Sequence, residues 1–378
     1  MKILFVGKRS FDESSGVEKK LNGEIAAFEN LGNEVWYTAF DKDGAWLVSK
    51  AKKKLLFSKK NNGILGGYVA YERAIQRSLS ASGVDFDFCY IRKALCSPMH
   101  IASLRQLKQR GVRIVEEIPT FPYDAEYEKA SGIVPKIWLA IDRLFRNRMK
   151  RYLDGIATFD MSDLIFGVPT IKISNGIDAS LLPLHKMPKD DGILNVISVS
   201  KTAYWHGIDR FIVGLSQYIK EGGKTRVTLH IVGEGPETEK LKKLTSELDV
   251  EHSVIFYGEL WGEKLDEVFK VCSVALSSIA IHRKNVIFSA ELKNREYMAR
   301  GIPFVFSAKD MLLPKEANYF YKISEDDTAV DIKKIVEFYE TIRREDTVAK
   351  QMRDYALDYM SWEIQMKKVL EFLKNKTQ

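Results

Sequence analysis

Short apolar runs alternate with longer amphipathic segments along almost the whole chain. Lys2 to Val6 (KILFV) is followed by Gly7, a polar loop and a periodic segment from Val17 to Leu31. Leu21, Ile25, Ala26 and Phe28 fall on one side of that segment. Gly32 ends it, and Val35-Trp36-Tyr37 begins another apolar run. This spacing predicts a strand, a helix and a second strand, the building block of a parallel sheet. Further strands are expected at Phe86 to Ile91, Val112 to Val115, Gly155 to Phe159 and Thr170 to Ile173, with helical segments between them.

Asn175-Gly176-Ile177-Asp178 makes a turn, and the proline- and charge-rich stretch from Leu181 to Gly192 reads as a linker. The alternation then restarts. Strands are expected at Leu194 to Val199, Arg226 to Val232, Val254 to Tyr257 and Val274 to Ser277. Helices are expected from Gly207 to Tyr218, after Gly233-Glu234-Gly235-Pro236, and from Glu263 to Val271. Later helices are expected at Asp331 to Arg344 and Ala356 to Leu373. The halves share alternation without sharing a sequence repeat, so the expected class is α/β: two Rossmann-like, doubly wound domains facing each other across a cleft. The domains are expected at 1–182 and 183–357, with a last helix, 358–378, crossing back to the first.

The segment from Ser289 to Ser307, SAELKNREYMARGIPFVFS, is the most informative. Leu292, Tyr297, Met298 and Ala299 lie at helical spacing, Gly301 supplies a left-handed stop, and Phe304-Val305-Phe306 reads as a buried strand. Lys293 and Glu296 are three apart and share a face near the helix start. A cation beside a helix N-terminus suits a phosphate, and a carboxylate one turn on suits a pair of ribose hydroxyls. A surface helix with ordinary charge pairs would give the same pattern. Lys201 and His206, in the loop after Leu194 to Val199, would add cations at a strand end. In the first half, the loop Ser14-Ser15-Gly16 precedes a helix and can admit an anion or a sugar. Arg92-Lys93 and the loop Glu116 to Asp124, with Glu117, Thr120 and Tyr123, place polar groups at strand ends where a sugar could sit.

Composition narrows the picture. A length of 378 residues points to two domains of about 180 residues. Hydrophobic and charged contents of 45% and 29% are those of a globular protein, and no apolar run approaches the roughly 18 residues that span a bilayer. Cys89, Cys96 and Cys272 lack metal-type spacing and are expected as reduced thiols of a cytoplasmic protein. A net charge of +7 is mild and does not imply nucleic acid. Its distribution is uneven. Lys50 to Lys60 carries six lysines around Leu55, Leu56 and Phe57, which suits a peripheral contact with anionic lipid. Lys136 to Leu153 carries Arg143, Arg146, Arg148, Lys150 and Arg151, and an apolar stripe of Ile137, Trp138, Ile141, Leu144, Phe145 and Met149. That stripe is expected to pack on the sheet.

The order NGID, a basic loop leading to HGIDRFI, HIVGEGP, VIFYGEL and REYMARGIPFV resembles the retaining glycosyltransferases of family 4, which have the GT-B fold. The resemblance spans nearly the whole chain, including SSGVEKKLNGEIAAF, and WHGIDR with EIPTFPYD is similar to transferases of bacterial capsule and surface-polysaccharide assembly. It implies a nucleotide-sugar donor, UDP- or GDP-linked, and a glycan or lipid-linked oligosaccharide acceptor at the inner membrane face. No metal or other cofactor is implied, and no Asp-x-Asp triplet is present. The donor would be held by Ser15, Gly16, Val17, Lys201, His206, Gly233, Glu291, Lys293 and Glu296. Lys201 and His206 stand where the family carries an Arg and a Lys on the diphosphate. Glu296 matches the ribose-binding glutamate. Its usual partner eight positions earlier is replaced by Phe288, with Glu291 and Lys293 as nearby substitutes. Lys201, His206 and Glu117 are the implied catalytic set, and Arg92, Thr120 and Tyr123 the acceptor contacts. Rival readings are a nucleotide-sugar 2-epimerase on the same fold and a non-catalytic nucleotide-sugar-binding protein or scaffold. A nicotinamide dehydrogenase is disfavoured, because KRSFDESSG after the first strand is not G-x-G-x-x-G.

Overall fold

The apolar runs expected as strands form two separate sheets. The computed structural model describes residues 1–9, 16–58, 66–81, 83–92, 95–128, 130, 132–284 and 286–375. In chain order the first part comprises β1 (Lys2–Arg9), α1 (Gly16–Asn30), β2 (Glu34–Phe40), β3 (Gly44–Val48), β4 (Lys53–Ser58), α2 (Gly66–Ala81) and β5 (Phe88–Arg92). It continues with α3 (Pro98–Gln109), β6 (Arg113–Ile118), α4 (Asp124–Glu128), α5 (Val134–Phe145), β7 (Gly155–Thr158), β8 (Leu164–Ile165) and β9 (Val168–Lys172). The second part comprises β10 (Ile193–Val199), α6 (Ile208–Lys220), β11 (Arg226–Val232), α7 (Thr238–Glu247), β12 (Val254–Phe256), α8 (Glu263–Val271) and β13 (Val274–Leu276). After it come α9 (Leu292–Arg300), β14 (Phe304–Phe306), β15 (Phe320–Lys322), α10 (Ile332–Ile342), α11 (Val348–Tyr359) and α12 (Trp362–Asn375).

Contacts divide the chain into two units, Met1–Gly176 with Trp362–Gln378, and Ile177–Ser361. The sheet of the first unit runs β4-β3-β2-β1-β5-β6-β7-β9-β8. Its centre is parallel, because long helical crossovers join its strands. Antiparallel hairpins extend both edges, β2-β3-β4 on one side and β9-β8 on the other. The basic stretch Lys50 to Lys60 therefore contributes the edge strand β4, and Lys59 and Lys60 lie outside the described residues. Lysines on an edge strand discourage pairing with another chain. Lys53 lies 4.3 Å over the Trp46 ring, and Lys50 reaches Glu29 at 3.2 Å. The sheet of the second unit, β12-β11-β10-β13-β14-β15, is parallel throughout.

Two expectations need correction. The helix expected from Ala356 to Leu373 is two helices, broken at Met360-Ser361. The Met360 carbonyl accepts the Ile177 amide at 2.8 Å instead of continuing the ladder. α12 then packs on α1, with Trp362 seated over Gly23 and Gly176, where a Cβ would come within 2.3 and 2.6 Å of its ring. The apolar stripe expected to pack within Lys136 to Leu153 splits. Leu139 and Met149 are buried and Trp138 and Phe145 join them, whereas Ile137 and Leu144 are 50% and 71% exposed.

All three cysteines are free and buried. Among the described residues no helix is long and apolar enough to cross a membrane. Gly301 ends α9 at φ +74°, and a Cβ there would lie 2.3 Å from the Ala349 carbonyl oxygen. Gly301→Ala is therefore expected to destabilise the protein by at least about 2 kcal/mol, read as a lower urea midpoint with unchanged slope.

Candidate functional site

In the second unit, the loops at the carboxyl ends of β10 and β13 lie beside the first turn of α9, and the loop after β11 packs on the β10 loop. The loop after β10 ends in a 3-10 turn, Tyr204–His206, and Gly207 at φ +72°. A Cβ on Gly207 would fall 2.8 Å from Ile279 and 2.9 Å from Ala280, in the loop after β13. Gly233, at φ +114°, lets the loop after β11 approach the Ser200 carbonyl oxygen, which a Cβ would meet at 2.2 Å. Its observed role is thus a close approach of two backbones.

α9 is fixed from three sides. Arg295 makes a two-pronged, fully buried ion pair with Asp310 at 2.6 and 2.9 Å. The Tyr297 hydroxyl accepts the Val199 amide and donates to the Leu276 carbonyl, both at 3.3 Å. Glu291, at the N-cap, accepts the Ser277 hydroxyl at 2.9 Å and the Ser278 amide at 3.2 Å.

On that anchored turn, the Lys293 side chain is 11% exposed, but its Nζ is buried and has no hydrogen-bond partner among the described residues. The nearest carboxylate oxygen, on Glu291, is 4.0 Å away. Burial holds its pKa below the usual lysine value, with Glu291 working against the shift. An ammonium in this position lacks the partners that desolvation demands. One turn on, Glu296 uses Oε1 to accept Arg300 Nε at 2.8 Å, while Arg300 also reaches Asp266 at 2.7 Å.

His206 differs from expectation. Burial, reinforced by the Lys293 and Lys284 charges, pushes it from 6.5 down to about 2, so the ring is neutral. Nδ1 accepts the Ala203 amide at 3.3 Å, which assigns the proton to Nε2. The residue is where the sequence implied and offers a neutral donor in place of a cation. Lys201 is exposed on the same loop. Lys284, which sequence reasoning did not single out, lies 5.0 Å over the Trp205 ring. Its only signal was membership of the polar loop before Phe288. Phe288 itself forms a bridge with Lys309.

In the first unit, the β5-β6 register pairs Arg92 with Glu117. Lys20 and Glu24 on α1 complete a buried cluster: Lys20 Nζ lies 2.5 Å from Glu24 and 2.9 Å from Glu117. Burial raises the Glu117 carboxyl, but Lys20 and Arg92 outweigh it and hold it below the usual range. Burial and the Glu117 charge push Glu24 up to about 7. Glu117 is thus committed to a closed ion cluster. Its partners had a sequence signal in the i,i+4 spacing of Lys20 and Glu24. Tyr123 is buried with its hydroxyl on Asp142 at 2.8 Å, so that hydroxyl is engaged inside the fold. Thr120 is half-buried in the turn after β6. Gly16 begins α1, Val17 is 51% exposed, and Ser15 lies outside the described residues.

A cavity of about 420 Å³ lies elsewhere in the second unit, lined by Pro183 to Pro188, Asp266, Phe269, Lys270 and Arg300. None of the expected site residues lines it. Among the described residues no group of three or more His, Cys, Asp or Glu side chains is placed to hold a metal ion.

Residues 193–340 match the family model described as Glycosyl transferases group 1. That span contains the β10 and β11 loops, β13 and α9. No curated protein matches the sequence. Solved structures resemble the chain over its length. Sucrose-phosphate synthase from Thermosynechococcus elongatus is 15% identical, with a TM-score of 0.69 and 100% of each chain covered. Alr3699/HepE from Anabaena, in complex with UDP, is 16% identical with a TM-score of 0.65, covering 99% of this chain and 100% of that one. The catalytic domain of Starch Synthase IV from Arabidopsis thaliana, bound to ADP and acarbose, is 10% identical with a TM-score of 0.64, covering 99% of each. The fold is GT-B.

Two measurements follow from the charges. Lys293→Met, which removes a buried ammonium that makes no hydrogen bond and only a 4.0 Å ion pair, is expected to raise the unfolding free energy by about 1–2 kcal/mol. For His206, the unfolded chain takes up a proton near 6.5 that the native ring takes up only near 2. Its contribution is therefore intact above about 6.5 and declines as the pH falls below that. Comparing unfolding free energies at neutral pH and at roughly pH 5, His206→Asn should lose about 2 kcal/mol less than the wild type.

Proposed function

We propose that this protein transfers a sugar from a UDP- or GDP-linked nucleotide-sugar to a hydroxyl of a glycan acceptor, with retention of configuration, in the synthesis of bacterial surface or capsular polysaccharide. The observation that carries this reading is the buried Lys293 ammonium, without a hydrogen bond among the described residues, at the start of α9, with Glu296 one turn on, inside the segment that matches Glycosyl transferases group 1. Lys293 supplies positive charge to the donor diphosphate, and the α9 N-terminus adds to it. Glu296 accepts hydrogen bonds from the two ribose hydroxyls. The structural relatives support a nucleotide donor: the Anabaena protein binds UDP and UDP-glucose.

In the reaction, the acceptor hydroxyl oxygen bonds to the anomeric carbon as the carbon–phosphate oxygen bond breaks, on the same face. The acceptor proton passes to the leaving diphosphate, so no protein nucleophile is required. Lys293 and exposed Lys201 stabilise the developing negative charge, and neutral His206 donates Nε2–H to it. In this scheme the work a divalent metal does elsewhere falls to these side chains. Glu117 orders α1 against β5 and β6 through Lys20 and Arg92 instead of acting as a base. A cytoplasmic location, at the inner membrane face when the acceptor is lipid-linked, belongs to the same reading.

The test is turnover of a panel of UDP- and GDP-linked hexoses, N-acetylhexosamines and deoxyhexoses with EDTA present, scored as released nucleotide. Release from one donor is expected. Glu296→Ala should lower kcat/KM for that donor by about a hundredfold, the loss of two charge-assisted hydrogen bonds. Nucleotide-sugar binding without release, with glycan acceptors supplied, would instead identify a non-catalytic binding protein.

A further inference from the structure

α5 exposes an aliphatic line as well as packing an apolar face inward. Steps of four, three and four residues from Ile133 through Ile137 and Ala140 to Leu144 put these side chains on one line of the helix. That line faces solvent: Ile133, Ile137 and Leu144 are 66%, 50% and 71% exposed, and Val134 beside them is 39% exposed. The opposite face carries buried Leu139 and Asp142. Asp142 accepts the Cys96 amide and the Tyr123 hydroxyl, each at 2.8 Å. The helix therefore packs Trp138, Leu139, Phe145 and Asp142 inward and still leaves a second, aliphatic line in water.

The helix and the turn after it are basic, although the acidic α4, with exposed Glu126 and Glu128, packs beside them and neutralises Arg143. Every exposed ionisable side chain from Ile133 to Tyr152 is basic: Lys136, Arg143, Arg148, Lys150 and Arg151. Arg143 is engaged with Asp124 and Glu128. The other four make no ion pair among the described residues, and Arg148 rests 4.5 Å over the Phe145 ring. An aliphatic line flanked by free cations is the chemistry of a helix lying in the interface of an anionic bilayer. Long basic side chains can keep their stems on the apolar surface while their heads reach phosphates.

We propose that α5 and the basic 3-10 turn Arg146–Arg151 dock this protein on an anionic lipid bilayer, with Ile133, Ile137 and Leu144 entering the boundary between headgroups and acyl chains. The lysines of β4 lie at the other edge of the same sheet from β8. They are a separate basic surface, with only Leu55 as an exposed large aliphatic residue on that strand.

Flotation of the full chain with phosphatidylcholine vesicles, with and without phosphatidylglycerol, tests this assignment. Wild type is expected to float only with the anionic vesicles. Ile137→Gln combined with Leu144→Gln should lower binding at least about tenfold. Lys150→Gln combined with Arg151→Gln should lower it about fivefold per charge at low salt and less at high salt. Lys52→Gln combined with Lys54→Gln should leave it unchanged. All of these are surface positions, so melting temperatures should stay at the wild-type value. Absence of flotation, or loss confined to the β4 variant, overturns the assignment. So does an α5 variant that floats normally but turns a dimer into a monomer in light scattering, since that would make the face a contact between copies. Binding is read without turnover, so its failure leaves the transferase reading untouched.

Discussion

The position of α9 depends on one buried ion pair. Arg295 is among the largest fully buried side chains, and both prongs of its guanidinium are committed to Asp310 in the loop after β14. Separating them would strand a charge in the interior at a cost of about 3–5 kcal/mol. The pair therefore fixes how α9 is rotated about its axis. Tyr297 sets the distance of the helix from β10 and β13, and Gly301 allows the chain to turn directly into β14. With rotation and depth fixed, Lys293 and Glu296 have little freedom. Both belong to a rigid element, which holds a ligand-binding group more accurately than a loop can.

The two units treat buried charge differently. In the first, cations and carboxylates compensate one another: Lys20 lies between Glu24 and Glu117, and His100 is held by Glu72 at 2.8 Å and Glu116 at 2.9 Å. Burial opposes the His100 charge, but its two carboxylate partners push its pKa up to about 10. In the second unit, Lys293 is desolvated and its closest carboxylate is only at ion-pair distance. Chains that bury charges usually pair them and satisfy their hydrogen bonds. The first-unit clusters also leave oxygens of Glu24, Glu72, Glu116 and Glu117 without hydrogen bonds among the described residues. α9 differs in burying an ammonium with no hydrogen bond, its nearest carboxylate 4.0 Å away, and the diphosphate reading rests there.

The fold was largely legible because parallel sheets announce themselves. Apolar runs of four to seven residues, separated by helix-length periodic segments, leave few alternatives, and every run expected as a strand contributes to one. What escaped was tertiary in origin. β3 and β4 form an antiparallel edge whose lysine-rich sequence has little strand character, and only pairing with β2 makes it a strand. The break at Met360 follows from a carbonyl turned towards Ile177, a partner far away in sequence. At the proposed site, residue identity and spacing pointed to Lys293, Glu296 and His206, which the fold places on α9 and on the loop after β10. The charge state of His206 could not be read, because it depends on burial and on two lysines distant in the chain. Tyr123 and Glu117 were legible as polar groups at a strand end, yet the inward partners that engage them, Asp142 and Lys20, lie on other elements.

α5 shows the limit of periodicity in its sharpest form. A helical repeat of apolar residues shows that a helix has two unlike faces, but it does not say which of them is inside. The usual inference assigns the apolar face to the core because water rejects it. Here Leu139 and Asp142 sit inward, and Asp142 repays its desolvation through the Cys96 amide and the Tyr123 hydroxyl. Rotating the helix to bury Ile137 and Leu144 would leave the Cys96 amide and the Tyr123 hydroxyl without their acceptor and expose Leu139. Exposure of the aliphatic line is therefore held in place by a hydrogen-bond constraint on the other side of the helix. A face kept exposed in this way, with cations beside it, needs a partner outside the fold to remove it from water.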